Sequence, residues 1–290
     1  MNERQLKIFK TVCSHGNMTL AAKELYISQS SVSQTITEIE RQYDILLFER
    51  IGKKLYITKS GEKLLFFANQ ILSLHKNLYS SLKSDSIHEE LRIGATITIG
   101  TYLLPSIISQ FNNITENTEV YSYINNTTVI SQMIINNTID FGLVEGEIVS
   151  NNIITIPYMN DDLVLICSNN HELATGNTLL PFDLQMGKFI IREPNSGSRA
   201  LLLKELKQKE IDYIIKGEYN NTEAIINAVK MNLGIGVISR KSITKENSKF
   251  FTVLKTDFLD LSRKFFIAYH KNKVVTKTML KIFTSLQSSD

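Results

Sequence analysis

Apolar residues recur at helical spacing along the first part of the chain. Leu6, Phe9 and Val12 share one face of the segment 3–15, and Gly16 follows that segment. Spacings of three and four residues place side chains on one side of an α-helix, and glycine is frequent just after helix ends. The pattern therefore predicts a first helix over residues 3–15.

Two further helices are predicted after short connections. Thr19 is the candidate cap of a second helix, which carries the small residues Ala21 and Ala22. Ser28 is the candidate cap of a third helix. Its inward apolar positions are Val32, Ile36 and Ile39. Two helices joined by a tight turn form a helix-turn-helix pattern.

The outward face of the third helix carries short polar side chains instead of long charged ones. These residues are Gln29, Ser30, Ser31, Ser33, Gln34 and Thr37. Such groups can approach base edges or phosphates closely, and glutamine pairs with adenine. An ordinary solvated surface has a similar composition, so this face alone leaves DNA contact and simple solvation both open.

A cationic turn follows and favours DNA contact. Short apolar runs flank a Gly-Lys-Lys turn within residues 47–58, which predicts a β-hairpin with Arg50, Lys53 and Lys54 near its tip. Cations in that position suit the sugar-phosphate backbone. Residues 1–88 carry a net charge of +4, against −1 for the remainder. The positive excess therefore lies in the part of the chain that has the helix-turn-helix pattern.

The spacing of these residues matches a known signature over about sixty positions. The matching positions are Ala21-Ala22, Leu25, Ser28 through Ser33, Ile36, Ile39-Glu40, Leu47 through Arg50, Leu55, Thr58 and Gly61. They resemble the N-terminal domain of the LysR family of transcriptional regulators, although Ser30 replaces a common proline and Gln34 a frequent arginine. The resemblance implies a winged helix-turn-helix over residues 1–58 that binds double-stranded promoter DNA. Thr19, the polar residues of the third helix and the wing cations are the expected contacts.

A long helix is predicted next. Leu64, Ala68, Ile71, His75, Leu78 and Leu82 alternate spacings of four and three, as in a coiled-coil seam. A helix of about 37 Å is too long to bury against one small domain. We therefore expect residues 59–87 to form a linker helix that makes a homodimer, with residues 84–86 as a connection. We interpret His75 as a packing or hydrogen-bonding residue instead of a pH sensor.

Alternating strand and helix signals from residue 91 onward predict an α/β region with mixed, mostly parallel sheets. Several strand-to-helix junctions carry hydroxyl or amide groups. They are residues 96–100, 126–128, 195–199 and 220–223. Each junction alone is most simply a helix cap. Together they predict a polar cleft at the carboxyl ends of the strands, where open α/β sheets bind ligands.

Motifs in this region also resemble the LysR effector domain. They are Thr98 through Pro105, Asp140 through Gly146, Gly197-Ser198-Arg199, Ala224-Ile225, Gly234-Ile235-Gly236 and Phe265 through Lys271. The resemblance implies a two-lobed, periplasmic-binding-protein-like α/β effector domain over residues 88–290. Lobe I would span about 88–162 and 268–290, and lobe II about 163–267, with crossings near 160–165 and 264–268.

The resemblance also implies an effector site between the lobes. The residues expected to contact the effector are Thr96, Thr98, Thr127, Ser196 and Ser198. Glu145 would receive an amino group or position another side chain, and Arg199 would neutralise an acid. Residues 95–105 resemble the branch that includes regulators of sulfur assimilation and carbon fixation, which implies a small inorganic or organic anion. A homotetramer and contact with RNA polymerase are further family expectations.

Two rival classes are less well supported by the residues. An enzyme is not indicated, because the chain has no Walker A, HExxH, EF-hand or GxSxG motif and its five histidines lack metal-ligand spacing. We therefore expect no cofactor and no metal. A solute-binding protein would explain the α/β half but not the first ninety residues. A charged N-terminus, no long apolar run and two distant cysteines predict a cytoplasmic chain with reduced thiols.

Overall fold

The helices of the first part of the chain form where the apolar pattern predicts them. The computed structural model describes residues 1–51, 54–83, 89–114 and 118–288. The chain divides into one unit built mainly on residues 1–91 and another built mainly on 92–290. The first unit contains α1 (Glu3–His15), α2 (Met18–Glu24), α3 (Gln29–Tyr43), β1 (Phe48–Ile51), β2 (Lys54–Ile57) and α4 (Lys59–Lys83).

Local hydrogen bonds set the ends of the first three helices. Gly16 ends α1 in the left-handed region, with a φ of 57°. Ser28 caps α3 as predicted, since its Oγ accepts from the Ser31 amide. The predicted cap of α2 is wrong, because Asn17 takes that place and accepts from the Thr19 amide. Asn17 lies just before the helix, so its side chain can accept hydrogen bonds from two amides that have no partner within the helix.

The apolar faces of α1, α2 and α3 pack into one core. Its buried residues are Leu6, Ile8, Phe9, Val12, Ala21, Ala22, Val32, Ile36, Ile39, Leu47 and Ala68. The β1–β2 hairpin is fixed beside α3 by hydrogen bonds at its base. Glu40 Oε1 of α3 accepts from the Leu47 amide at 2.8 Å, and Thr58 Oγ1 donates to the Leu46 carbonyl at 2.6 Å. The first bond ties the base of the wing to α3, and the second joins the two ends of the hairpin.

The predicted seam of α4 has two different environments. Leu64 and Ala68 pack against the core of the first unit. The exposed apolar residues further along the helix are Ile71, Leu74, Leu78 and Leu82, with exposed fractions of 46%, 49%, 57% and 77%. His75 is also exposed, and its Nε2 lies 3.3 Å from Glu3 Oε2. The predicted connection at residues 84–86 lies outside the described residues.

The second unit is a single mixed sheet with helices. Its strands are β3 (Glu89–Ala95), β4 (Thr118–Ile124), β5 (Phe141–Glu145), β6 (Ile153–Ser168), β7 (Gly187–Arg192), β8 (Tyr213–Tyr219), β9 (Ile235–Ser239), β10 (Phe251–Val253) and β11 (Ser262–His270). Its helices are α5 (Ile97–Tyr102), α6 (Leu104–Ile114), α7 (Thr127–Ile135), α8 (Gly197–Gln208), α9 (Thr222–Lys230) and α10 (Lys277–Gln287).

One long strand joins two lobes of this sheet. The strand order is β4-β3-β5-β11-β6-β9-β7-β8, and β10 also pairs with β6. The first part of β6, up to Asp162, pairs with β11, and from Leu163 the same strand pairs with β9. Pairs made by β6 and β11 are antiparallel, whereas β3 with β5 and β7 with β8 and β9 are parallel. The strand β11 pairs with β6 from Ser262 and with β5 from Phe265.

Both cysteines are free thiols. Burial raises the pKa of Cys13 to about 12 and that of Cys167 to about 11. A thiol with so high a pKa stays protonated near neutral pH and is a poor nucleophile. Separately, no helix within the described part of the chain is long and apolar enough to cross a membrane.

Candidate DNA-binding surface and effector cleft

The polar face of α3 is an open, concave surface. Its lining residues are Gln29, Ser30, Ser33, Gln34, Thr37, Glu38 and Arg41. Gln34 Nε2 donates to Glu38 Oε1 over 3.0 Å. Because a carboxylate only accepts, the amide nitrogen of Gln34 must face Glu38, and the orientation of its Oε1 is set as a consequence. Glu38 and Arg41 were not predicted, since single charges on a helix are also typical of a solvated surface.

The serines at the start of α3 are bonded to one another. Ser28 Oγ lies 2.9 Å from Ser30 Oγ and 2.7 Å from Ser31 Oγ. Ser31 is half-buried, whereas Ser30 and Gln29 are exposed. The hydroxyl of Ser31 therefore serves the helix cap, while its neighbours face outward.

A second concavity brings α2, α3 and the wing together. It is lined by Gly16, Asn17, Met18, Thr19, Gln29, Arg50 and Leu55. Thr19, Gln29 and Arg50 come from three elements and line the same concavity. Gln29 also lines the first concavity, which makes the two surfaces continuous. Lys53 and the side chain of Lys54 lie outside the described residues.

Four of the seven predicted effector residues meet in one buried network of the second unit. Glu145 is the last residue of β5, and its Oε1 accepts from Thr96 Oγ1 at 3.1 Å and from the Thr98 amide at 3.0 Å. Its Oε2 accepts from Arg263 Nη1 at 2.8 Å, and the same nitrogen donates to Ser198 Oγ at 3.1 Å. These predicted effector residues therefore already hold a carboxylate, which the chain itself supplies.

Arg263 links this carboxylate to a second one. Its Nε donates to Asp161 Oδ2 at 2.8 Å, and Ser239 Oγ donates to the other oxygen of Asp161 at 2.6 Å. The side chain of Arg263 is 7% exposed and that of Asp161 is 0% exposed. Two donors in this region have no hydrogen-bond partner among the described residues, Arg263 Nη2 and the Tyr158 hydroxyl. Sequence reasoning missed Arg263, Asp161, Ser239 and Tyr158.

The charges of the network fix its protonation state. Burial alone would raise the pKa of Glu145, but the Arg263 guanidinium, the hydrogen bonds from Thr98 and the Arg192 charge hold that pKa below its ordinary value. Burial, with the nearby charges of Glu145 and Asp161, raises the pKa of Tyr158. Glu145 is therefore ionised and Tyr158 is a protonated donor, and two carboxylates share one guanidinium.

The other predicted effector residues have different surroundings. Ser196 is the buried N-cap of α8, and its side chain makes no capping hydrogen bond. Arg199 Nη1 donates to Glu218 Oε1 at 2.7 Å instead of joining the network. Among the described residues, no hydrogen bond connects Thr127 to the network, and no group of acidic, histidine or cysteine side chains could hold a metal ion.

Family models match both parts of the chain. A model described as "Bacterial regulatory helix-turn-helix protein, lysR family" matches residues 3–62, and one described as "LysR substrate binding domain" matches residues 84–289. A relative from Emiliania huxleyi, named a probable RuBisCO transcriptional regulator, is 36% identical over 250 residues, which cover 83% of this chain and 80% of the relative. This name confirms the expected resemblance to regulators of carbon fixation.

Two solved structures share the fold. A full-length OxyR variant from Pseudomonas aeruginosa superposes with a TM-score of 0.75 at 18% identity, covering 99% of this chain and 95% of that one. The CcmR regulatory domain of Synechocystis PCC6803, solved in complex with 2-PG, gives a TM-score of 0.64 at 24% identity, covering 69% and 96%. The family and its relatives are regulators, not enzymes. The chain belongs to the LysR family of transcriptional regulators, with a helix-turn-helix domain followed by a two-lobed α/β effector-binding domain.

Proposed function

We propose that this regulator binds promoter DNA as a homodimer through α3 and the wing, and that a small anion in the cleft changes its DNA-bound state. The observation that carries the DNA half is the continuous surface that joins Thr19, Gln29 and Arg50 to the polar face of α3. A recognition helix and a wing presented together fit a major groove and its flanking backbone.

The proposed contacts divide into two kinds. Gln29 and Gln34 read base edges, because a glutamine amide can bond adenine through two atoms. Ser30, Ser33 and Thr37 assist along the same face. Contacts to the phosphates come from Thr19, Arg50, Lys53 and Lys54. Ser31 acts mainly through the helix cap that it shares with Ser28.

The proposed dimer uses the exposed part of α4. Ile71, Leu74, Leu78 and Leu82 form an apolar stripe that one chain leaves in solvent. Their spacing of three and four residues suits a helix partner with the same stripe. By analogy with the family, we also propose a homotetramer, contact with RNA polymerase and a location in the cytoplasm.

The proposed effector is a small anion held by the buried network and the start of α8. Arg263 Nη2 is a buried donor without a partner among the described residues, and Ser196 begins α8 without a capping bond. Both features favour an acceptor-rich ligand. The CcmR domain of similar fold was solved with 2-PG, that is, 2-phosphoglycolate, which makes a phosphorylated acid the first compound to test. The anion must bind one arrangement of the regulator better than the other.

A footprint on the DNA upstream of the regulator's own gene tests this function. We expect the full-length protein to protect a site with two related half-sites, and 2-phosphoglycolate to change the protected length or the bend. Absence of any protected site at low and moderate salt, with a folded protein, would contradict specific DNA binding. If the protein binds the anion but the footprint stays the same at saturating anion, the proposed effect of the anion on the DNA-bound state is contradicted.

A further inference from the structure

We propose that Glu145 is an internal ligand of the cleft and that the effector is a tetrahedral oxyanion which binds by displacing it. The Glu145 carboxylate accepts hydrogen bonds from Thr96 Oγ1, the Thr98 amide and Arg263 Nη1. An incoming anion would use the same donors. The inference rests on the proposed function, because it requires an anion at this site.

The charge of the network explains why an anion must exchange with a carboxylate. Arg263 is already paired with Glu145 and Asp161, both ionisable acids whose side chains are at least nine-tenths buried. Arg192, the other buried guanidinium near Glu145, is itself paired with Glu193 at 2.7 Å. A third anion added beside Arg263 would therefore share that guanidinium with two carboxylates. Buried charges that lack a partner are strongly unfavourable, so one carboxylate has to leave as the effector enters.

Glu145 is the carboxylate that can leave. Asp161 has a fully buried side chain in the middle of β6 and also accepts from Ser239. Glu145 is the last residue of β5, and its side chain has one more rotatable bond than that of Asp161. Its carboxylate can therefore turn away from the donors by rotation of the side chain alone.

The donor geometry also selects the class of effector. Thr96 Oγ1, the Thr98 amide, Arg263 Nη1 and the unpartnered Arg263 Nη2 provide four donors. The two oxygens of Glu145 bond three of them. A phosphoryl or sulfuryl group has a third oxygen, which can accept from Arg263 Nη2 while two others take the place of the oxygens of Glu145. A free monocarboxylate has no such advantage over Glu145, which is the same group held in place by the chain.

Calorimetric titration of the full-length protein tests the exchange. The probes are 2-phosphoglycolate, sulfate and acetate, and the proteins are wild type, Glu145→Ala and the control Glu218→Ala, which removes an acid paired with Arg199 outside the network. We expect wild type and Glu218→Ala to bind the first two probes but not acetate. In Glu145→Ala, 2-phosphoglycolate should bind at least about tenfold more tightly, and acetate should bind and raise the melting temperature.

The outcomes separate the inference from the proposed function. If wild type binds 2-phosphoglycolate and folded Glu145→Ala binds it equally or more weakly, the exchange is wrong while the anionic effector stands. If no protein binds any probe, the exchange and the anionic effector are both wrong. Should Glu145→Ala fail to fold, Glu145→Gln keeps the size of the side chain and removes its charge. The Glu145→Gln protein should bind 2-phosphoglycolate more tightly than wild type does, and weaker binding would overturn the proposed exchange.

Discussion

The two recognition surfaces of this regulator handle polar groups in opposite ways. On α3, the uncharged side chains of Gln29, Ser30, Gln34 and Thr37 are exposed. In the effector domain, charged side chains are buried and bonded to one another across β5, β6 and β11. In the proposed function, the first surface meets DNA without rearrangement. The second exchanges existing hydrogen bonds for those of the effector, so that binding of the effector changes the conformation of the domain.

The largest expected effect comes from removing the centre of the buried network. Arg263→Ala would leave Glu145 and Asp161 without their shared cation in a dry environment. We expect the free energy of unfolding of the effector domain to fall by about 3–5 kcal/mol. Urea denaturation followed by circular dichroism measures this loss.

A matched arginine provides the control for that prediction. Arg199 pairs with Glu218, and the two side chains are 18% and 41% exposed. Arg199→Ala should therefore cost less than Arg263→Ala, because solvent reaches Glu218 and the substitution leaves no buried carboxylate without its cation. Equal losses for the two substitutions would show that burial does not distinguish the network from an ordinary surface pair.

A smaller effect is expected on the DNA-binding surface. Gln34→Ala should weaken binding to the specific site by about 1–3 kcal/mol while leaving non-specific affinity nearly unchanged, since it removes a base contact and no charge. Competition binding with specific and random duplexes measures the difference. Gln42→Ala is the control, because Gln42 is an exposed glutamine of the same helix that does not line the concavity. A similar loss of affinity for both variants would show that Gln34 makes no specific contact with a base.

The smallest effect concerns salt. Arg50→Ala should weaken binding to every duplex and reduce the slope of log affinity against log salt by about 0.9, the value for one phosphate contact. Titrations at four salt concentrations measure that slope. A loss confined to one DNA sequence, with the slope unchanged, would assign Arg50 to base reading instead of backbone contact.

The two surfaces also differ in how far the sequence predicts them. The DNA-binding surface depends on local periodicity and capping, and apart from the cap of α2 its elements follow the pattern. The effector network joins side chains that are 49 to 118 residues apart. Asp161 and Arg263 look like ordinary polar positions near the edges of apolar strands, and only the antiparallel pairing of β6 with β11 brings them together. Thr96, Thr98, Glu145 and Ser198 were predicted because strand-to-helix junctions and family motifs mark them locally.

The neutral character of the α3 face has a consequence for gene control under osmotic stress. Of the described residues that line it, only one acid and one base are charged, Glu38 and Arg41. A change in intracellular ion concentration then acts mainly through backbone contacts, which are common to all DNA sites. The affinity of every target should shift together, so the order in which promoters are occupied should be preserved when the cell loses or gains water.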